Sequence, residues 1–167
     1  VLAAFGARAT FFQLGANVRR YPDLVRRVRD DGHELGVHGM FHLPPPVLPR
    51  MVLGWEIAQG AAALLDATGE APVHYRPAYG LMRPRQAARV RERGLVPVLG
   101  DIYPRDVDRP GTDRIVRRVL DRLRAGSIVI LHDSSGLGDF DRSQTVEAVE
   151  QILSVARDWG LEAVSVR

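Results

Sequence analysis

The sequence predicts an α/β fold built on a parallel sheet, and two observations carry that prediction. Short apolar runs alternate with longer stretches of helical period along the chain, the pattern of strands joined by crossover helices. Polar residues also stand just past the ends of several apolar runs, as they do where the carboxyl ends of parallel strands form one face. His38 and His42 follow the run ending Leu35-Gly36-Val37, and Arg76 follows Val73-His74-Tyr75. Asp101 and Asp106 follow the run from Leu95 to Leu99, and His132 and Asp133 follow Ile128-Val129-Ile130-Leu131.

Taken in order, Val1 to Gly6 reads as the tail of a helix, which implies a first strand before it. Ala9 to Leu14 is a short apolar run. Pro22 to Asp31 is a helix with Pro22 in its first turn, Leu24, Val25 and Val28 on one face, and Gly32 as its stop. Glu34 to Val37 is a strand, and the proline-rich stretch Leu43 to Pro49 is a loop. A helix from Met51 to Ala67 stops at Gly69, and the strand Val73 to Tyr75 is broken by Pro77 and Gly80. Pro84 to Arg93 is a helix closed by Gly94, and Leu95 to Leu99 a strand. Asp113 to Arg124 is a helix with Ile115, Val116, Val119, Leu120 and Leu123 as its apolar stripe. Ser127 to Leu131 is continuously apolar, as in a strand buried on both faces. Ser134 to Asp141 is a Gly-rich polar loop, Thr145 to Trp159 the last helix, and Leu161 to Val166 the last strand. About six parallel strands are expected, in a sheet either open or closed.

A chain of 167 residues is long enough for one domain with its own core. At 46% hydrophobic and 26% charged it has ordinary globular composition. No run approaches the roughly 20 apolar residues of a transmembrane helix, and no charged-then-apolar leader is visible. The net charge of +3 is small and dispersed, which argues against a nucleic-acid partner. All 23 basic residues are arginine, a bias of genome composition that also produces the high isoelectric point. With no cysteine, disulfides, thiolate metal sites and cysteine nucleophiles are excluded.

His38-Gly39-Met40-Phe41-His42 sets two imidazoles four residues apart. In a helical turn that spacing points both the same way and suits a divalent metal. It is not the metalloprotease helix, because Gly stands where that motif has Glu and Pro44-Pro45-Pro46 ends any helix. Arg76-Pro77-Ala78-Tyr79-Gly80 fixes an arginine beside a rigid turn, able to orient a carboxylate while turn N–H groups meet an oxyanion. His132 leaves an apolar strand at a dry-to-wet boundary, a setting for acid–base work. Of the carboxylates between Asp101 and Asp108, two could approach such a site. His33 and His74 lack strand-end placement and read as structural or exposed. Phosphate-loop and serine-nucleophile motifs are missing.

In this order the segments resemble the polysaccharide deacetylase family, the NodB-homology carbohydrate esterases. The matching phrases are Arg8-Ala9-Thr10-Phe11-Phe12, Tyr21-Pro22-Asp23-Leu24-Val25, Asp31-Gly32-His33-Glu34-Leu35-Gly36, Arg76-Pro77-Ala78-Tyr79-Gly80, Gly126 to Asp133, and Arg142-Ser143-Gln144-Thr145-Val146. The resemblance implies a distorted (β/α) barrel forming a single domain over residues 1–167, incomplete at its N-terminus. It implies a metal-dependent hydrolase removing N-acetyl or O-acetyl groups from a polysaccharide such as peptidoglycan, chitin or poly-N-acetylglucosamine, at the cell envelope or outside the cell. By matching position, His38 and His42 would bind the metal, zinc first, with cobalt or nickel also suited. Arg76 would hold the catalytic-base aspartate, and the Tyr79 N–H would meet the oxyanion. Asp106 would tune the acid histidine, Leu131 would wall the acetyl pocket, and His132 would be the general acid.

The departures are specific. The family's first motif ends in two aspartates, base and third metal ligand, and nothing here resembles it; the expectation is that this sequence is part of a longer polypeptide. Gly39 replaces a usual Ser or Thr that steadies the histidine loop, Ala78 a usual proline, and Val107 a usual tryptophan. Two rival readings stand beside the deacetylase: a non-catalytic carbohydrate-binding relative, and a hydrolase of small linear amides.

Overall fold

The computed structural model describes residues 1–134 and 141–166. It divides into two compact units: Ala9–Leu99 with the chain end from Ser165, and Val1–Arg8 with Gly100–Val164. Most of the expected Ser134 to Asp141 loop, with Ser135, lies outside the described residues.

The larger unit holds a parallel four-stranded sheet in sequence order: β1 (Thr10–Gln13), β2 (Glu34–Val37), β3 (His74–Tyr75) and β4 (Val96–Pro97). In the β1–β2 register Phe12 lies opposite Gly36. A Cβ on Gly36 would come within 2.7 Å of two Phe12 ring carbons, so this strand position admits only glycine while that ring lies across it. The helices are α1 (Gly15–Arg20), α2 (Pro22–Asp30), α3 (Arg50–Thr68) and α4 (Pro84–Arg91). Helix α2 begins on Pro22, whose missing N–H costs nothing in a first turn. Helix α3 stops at Gly69 in the left-handed conformation. The core gathers Val18, Val25, Val37, Leu53, Ile57, Leu64, Tyr75 and Val90 from β2, β3 and all four helices, with Leu95 just before β4. Burying each such aliphatic side chain contributes about 1.5–3 kcal/mol before the entropy of ordering it.

In the smaller unit, α5 (Thr112–Leu120) packs on α6 (Ser143–Asp158) around Ile102, Ile115, Val119, Ala148 and Ile152. The helix read from Asp113 to Arg124 is correct in phase but ends at Leu120, four residues early, with Asp121 as its cap, and Leu123 still packs on the same core.

The parallel α/β class stands, with fewer ladder strands than expected among the described residues. Ser127 to Leu131 makes a single parallel bridge, Ile102 to Val129, rather than a strand. Leu161 to Val166 is extended, but its bonds are scattered: Ala163 O accepts from Arg8 N at 2.9 Å, and Val166 N donates to the Thr10 hydroxyl at 2.9 Å. Val1 to Gly6 holds a 3₁₀ turn, Leu2–Phe5, ended by Gly6 at φ 60°. Helix α1 escaped the sequence reading because six residues are too few to display a period.

Candidate active site

The residues assigned roles from the sequence fall into two constellations, one in each unit. His38, His42, Arg76 and Tyr79 belong to the larger; Asp106, Leu131 and His132 to the smaller.

His38 stands one residue beyond β2, and its N–H extends the ladder to Gln13 O at 2.9 Å. Its ring Nδ1 lies 2.7 Å from the carbonyl oxygen of Arg76, one residue beyond β3. A carbonyl only accepts, so Nδ1 carries the proton, and in the neutral ring the lone pair is on Nε2. The chain then turns at Gly39, φ 88°. Gly39 O and Met40 O accept from Gly15 N (2.9 Å) and Ala16 N (3.2 Å) at the start of α1. From the other side Glu56 Oε2 on α3 accepts Met40 N at 2.9 Å and Phe41 N at 3.0 Å. The two imidazoles come together with centroids 4.9 Å apart. The four-residue spacing works here through a loop rather than the expected helical turn, with His42 itself at φ 61°.

Arg76 is fixed by packing as well as by its backbone bond to Val37 O at 2.9 Å. Its guanidinium lies 4.1 Å from the centroid of the Phe12 ring, the ring that Gly36 makes room for. Burial lowers its pKa to about 10, and its buried Nε has no acceptor among the described residues. It is therefore a desolvated cation with an unmet hydrogen bond, which a carboxylate would satisfy. Tyr79 occupies the following turn at φ 60°, with its ring 4.7 Å from that of His42.

In the smaller unit Asp106 is wholly buried, at 0% exposure. Oδ2 accepts the His132 backbone N–H at 2.8 Å and the Thr145 hydroxyl at 3.3 Å. Oδ1 lies 2.9 Å from His132 Nδ1. A carboxylate accepts, so Nδ1 is protonated and the outer atom is Nε2. The Tyr103 ring meets the imidazole edge to face at 5.9 Å, and its hydroxyl pKa is raised by burial first, then by Asp106 and Asp108. Leu131 is half-buried and packs on the α5–α6 core.

Among the described residues, the non-glycines at positive φ are His42, Tyr79, Arg105 and Arg109. Each costs on the order of 1 kcal/mol in backbone strain. Two are site residues and the other two bracket the Asp106–Asp108 turn, so strain is concentrated at the chemistry-bearing residues.

Other candidates have structural work. Asp101 caps Ile128 N at 2.7 Å and pairs with Arg124 at 3.1 Å. His74 is buried and paired with Glu34, and His33 packs on Phe11. Glu56 was missed, although its signal was present: a carboxylate in phase with Leu53, Ile57 and Gly60 on the buried face of α3. Among the described residues no three His, Asp or Glu side chains converge on one metal position.

With this geometry in hand, comparison with known proteins places the chain. Residues 1–98 match the family described as Polysaccharide deacetylase. A chitooligosaccharide deacetylase of Rhizobium leguminosarum bv. trifolii is 36% identical over 99% of this chain and 80% of its own. A peptidoglycan-N-acetylglucosamine deacetylase of Bacillus cereus is 35% identical over 99% and 76%. A family 4 carbohydrate esterase of Streptomyces lividans, solved with acetate, superposes with a TM-score of 0.87 at 28% identity, over 97% of this chain and 80% of that one. A family 4 pseudoenzyme of Bacillus anthracis shares the fold, with a TM-score of 0.91 at 20% identity; this chain covers 99% of its own length and 56% of that chain. The chain belongs to the polysaccharide deacetylase family, whose curated members here are named as deacetylases, hydrolases of non-peptide carbon–nitrogen bonds.

Proposed function

We propose that this chain carries the metal-binding and proton-donating residues of a metal-dependent deacetylase acting on N-acetylated amino-sugar polymers or oligomers. The observation that carries the reading is the Asp106–His132 pair. A fully buried carboxylate directs both oxygens at one histidine, fixing the ring's orientation and leaving Nε2 as the outer atom from which a proton would be given. The substrate class is supported by relatives named for chitooligosaccharide and for peptidoglycan N-acetylglucosamine.

The donor set fits a divalent metal in part. His38 and His42 offer two adjacent imidazoles, the first with its proton pinned on Nδ1. They suit zinc, and cobalt or nickel as well, as two ligands of a three-ligand set. When bound, the metal would polarise the acetamide carbonyl and lower the pKa of the attacking water. Arg76 would hold the base carboxylate through the guanidinium that Phe12 supports. The Tyr79 N–H would donate to the developing oxyanion, and Leu131 would line the acetyl methyl group. His132, once protonated on both ring nitrogens, would give its Nε2 proton to the departing amine and keep its Nδ1 proton, which it donates to Asp106 Oδ1, a step worth roughly 10²–10⁴ in rate. The base and third ligand match no residue of this sequence, so the assay belongs on the full polypeptide.

The test strips the full polypeptide of metal, reloads it with zinc, and measures acetate release from N-acetylated chito-oligosaccharides, O-acetylated xylan and small linear amides. Zinc-restored release, fastest from the chito-oligosaccharides, is expected. Sugar binding without acetate release, or faster turnover of small amides, would overturn the reading.

A further inference from the structure

Helix α3 buries a carboxylate where its stripe calls for an apolar side chain. Glu56 is 3% exposed, on the same face as Leu53, Ile57 and Leu64. Among the described residues no arginine ion-pairs with it. Its compensation is narrow: Oε2 accepts the N–H groups of Met40 and Phe41, two of the three residues between His38 and His42, while Oε1 has no partner among the described residues. A buried charge so sparsely compensated is costly, and its contacts go to one loop.

Gly39 is the other half of the arrangement. At φ 88° a side chain is strained, and a Cβ there would stand 3.1 Å from Glu56 Oε2. Gly39 thus sits directly beside the carboxylate, and any side chain there would displace Glu56 Oε2 by a few tenths of an ångström.

We infer that Glu56 is a positioning residue: its carboxylate fixes the 38–42 backbone so that His38 and His42 present their rings together. The geometry stands on its own; the consequence for metal binding rests on the function proposed above.

The test compares Glu56→Gln, which keeps an acceptor oxygen at the same reach, with Glu56→Asp, which withdraws it by one methylene, and Glu56→Met, which removes it. In the full polypeptide, affinity for zinc alone is measured by calorimetry and amide hydrogen exchange is followed residue by residue. Glu56→Gln should hold zinc within about threefold of the parent. Glu56→Asp and Glu56→Met should lose about tenfold or more, the range seen when groups supporting metal ligands are removed. In those two the Met40 and Phe41 amides should exchange at least about tenfold faster, while the Arg76 amide, bonded to Val37 O, stays protected. Unchanged exchange at Met40 and Phe41 in Glu56→Asp, or loosening of Arg76 in step with them, overturns the inference. If Glu56→Met does not fold, the Asp and Gln variants decide. If the parent binds no zinc, the metal reading falls, and exchange at Met40 and Phe41 still decides the role of Glu56.

Discussion

The two constellations hold their histidines by opposite means. The 38–42 loop is fixed mainly through its backbone, by bonds to the end of β1, the start of α1 and Glu56 on α3, with the His38 ring adding a bond to the carbonyl of the residue after β3. His132 is fixed by one side chain, Asp106, which takes both its backbone and its ring N–H. Four partially redundant anchors spread the effect of any one substitution, whereas a single anchor concentrates it. Damage should therefore be graded at the loop and severe at the Asp106–His132 pair.

The largest effects are expected at that pair. His132→Ala should lower kcat by roughly 10²–10⁴, with the thermal midpoint nearly unchanged, because the ring is partly exposed. Asp106→Ala should lose as much rate and also about 1–3 kcal/mol of stability, since it strands the His132 and Thr145 donors. Steady-state kinetics beside denaturant melts separate the two. Equal stability loss in both variants would dissolve the contrast.

Arg76→Met should rank next, lowering kcat about 10–100-fold, as loss of a group that orients a reacting residue does. Because Arg76 is half-buried and its Nε has no acceptor among the described residues, stability of this chain should hold or rise, which urea titration reads. A marked loss of stability would make Arg76 a structural residue.

Tyr75 supplies a pH test within the larger unit. Its phenol is pushed above the ordinary value of 10.0, by burial first and by the charge of Glu56 second. The folded state then keeps a proton that the unfolded state releases. The resulting stability is complete below 10.0 and drains as pH rises past it. Urea midpoints at about pH 8 and about pH 11 should fall less in Tyr75→Phe than in the parent. An identical fall would show that Tyr75 does not feel its burial.

The smallest effect is expected at Tyr79. Its ring is 65% exposed and its assigned role belongs to the backbone N–H. Tyr79→Gly suits the left-handed backbone there and should keep kcat within about threefold, with stability within about 1 kcal/mol. A larger fall in kcat would move the role to the ring.

Much of this was legible in the sequence. Strand ends at Val37 and Tyr75 could be read from apolar runs stopped by His38 and Arg76, and the helices from their periods and their Gly and Pro boundaries. What periodicity could not give was pairing. Ser127 to Leu131 is as apolar as a central strand, yet a single bridge forms, because strand identity depends on neighbours that the run itself does not encode. Glu56 was visible as a misplaced carboxylate, but its partners are backbone amides 15 and 16 residues away, which no side-chain motif announces. Likewise Phe12, Gly36 and Arg76 become one stack only when the β1–β2 register is known.

The proposed division of labour, metal binding at the 38–42 loop and proton donation at the Asp106–His132 pair, is tested most directly by zinc calorimetry on His38→Ala and His132→Ala in the full polypeptide. Zinc affinity should fall at least about tenfold in His38→Ala and stay within about threefold of the parent in His132→Ala. Equal loss in both, or zinc binding untouched by His38→Ala, would contradict it.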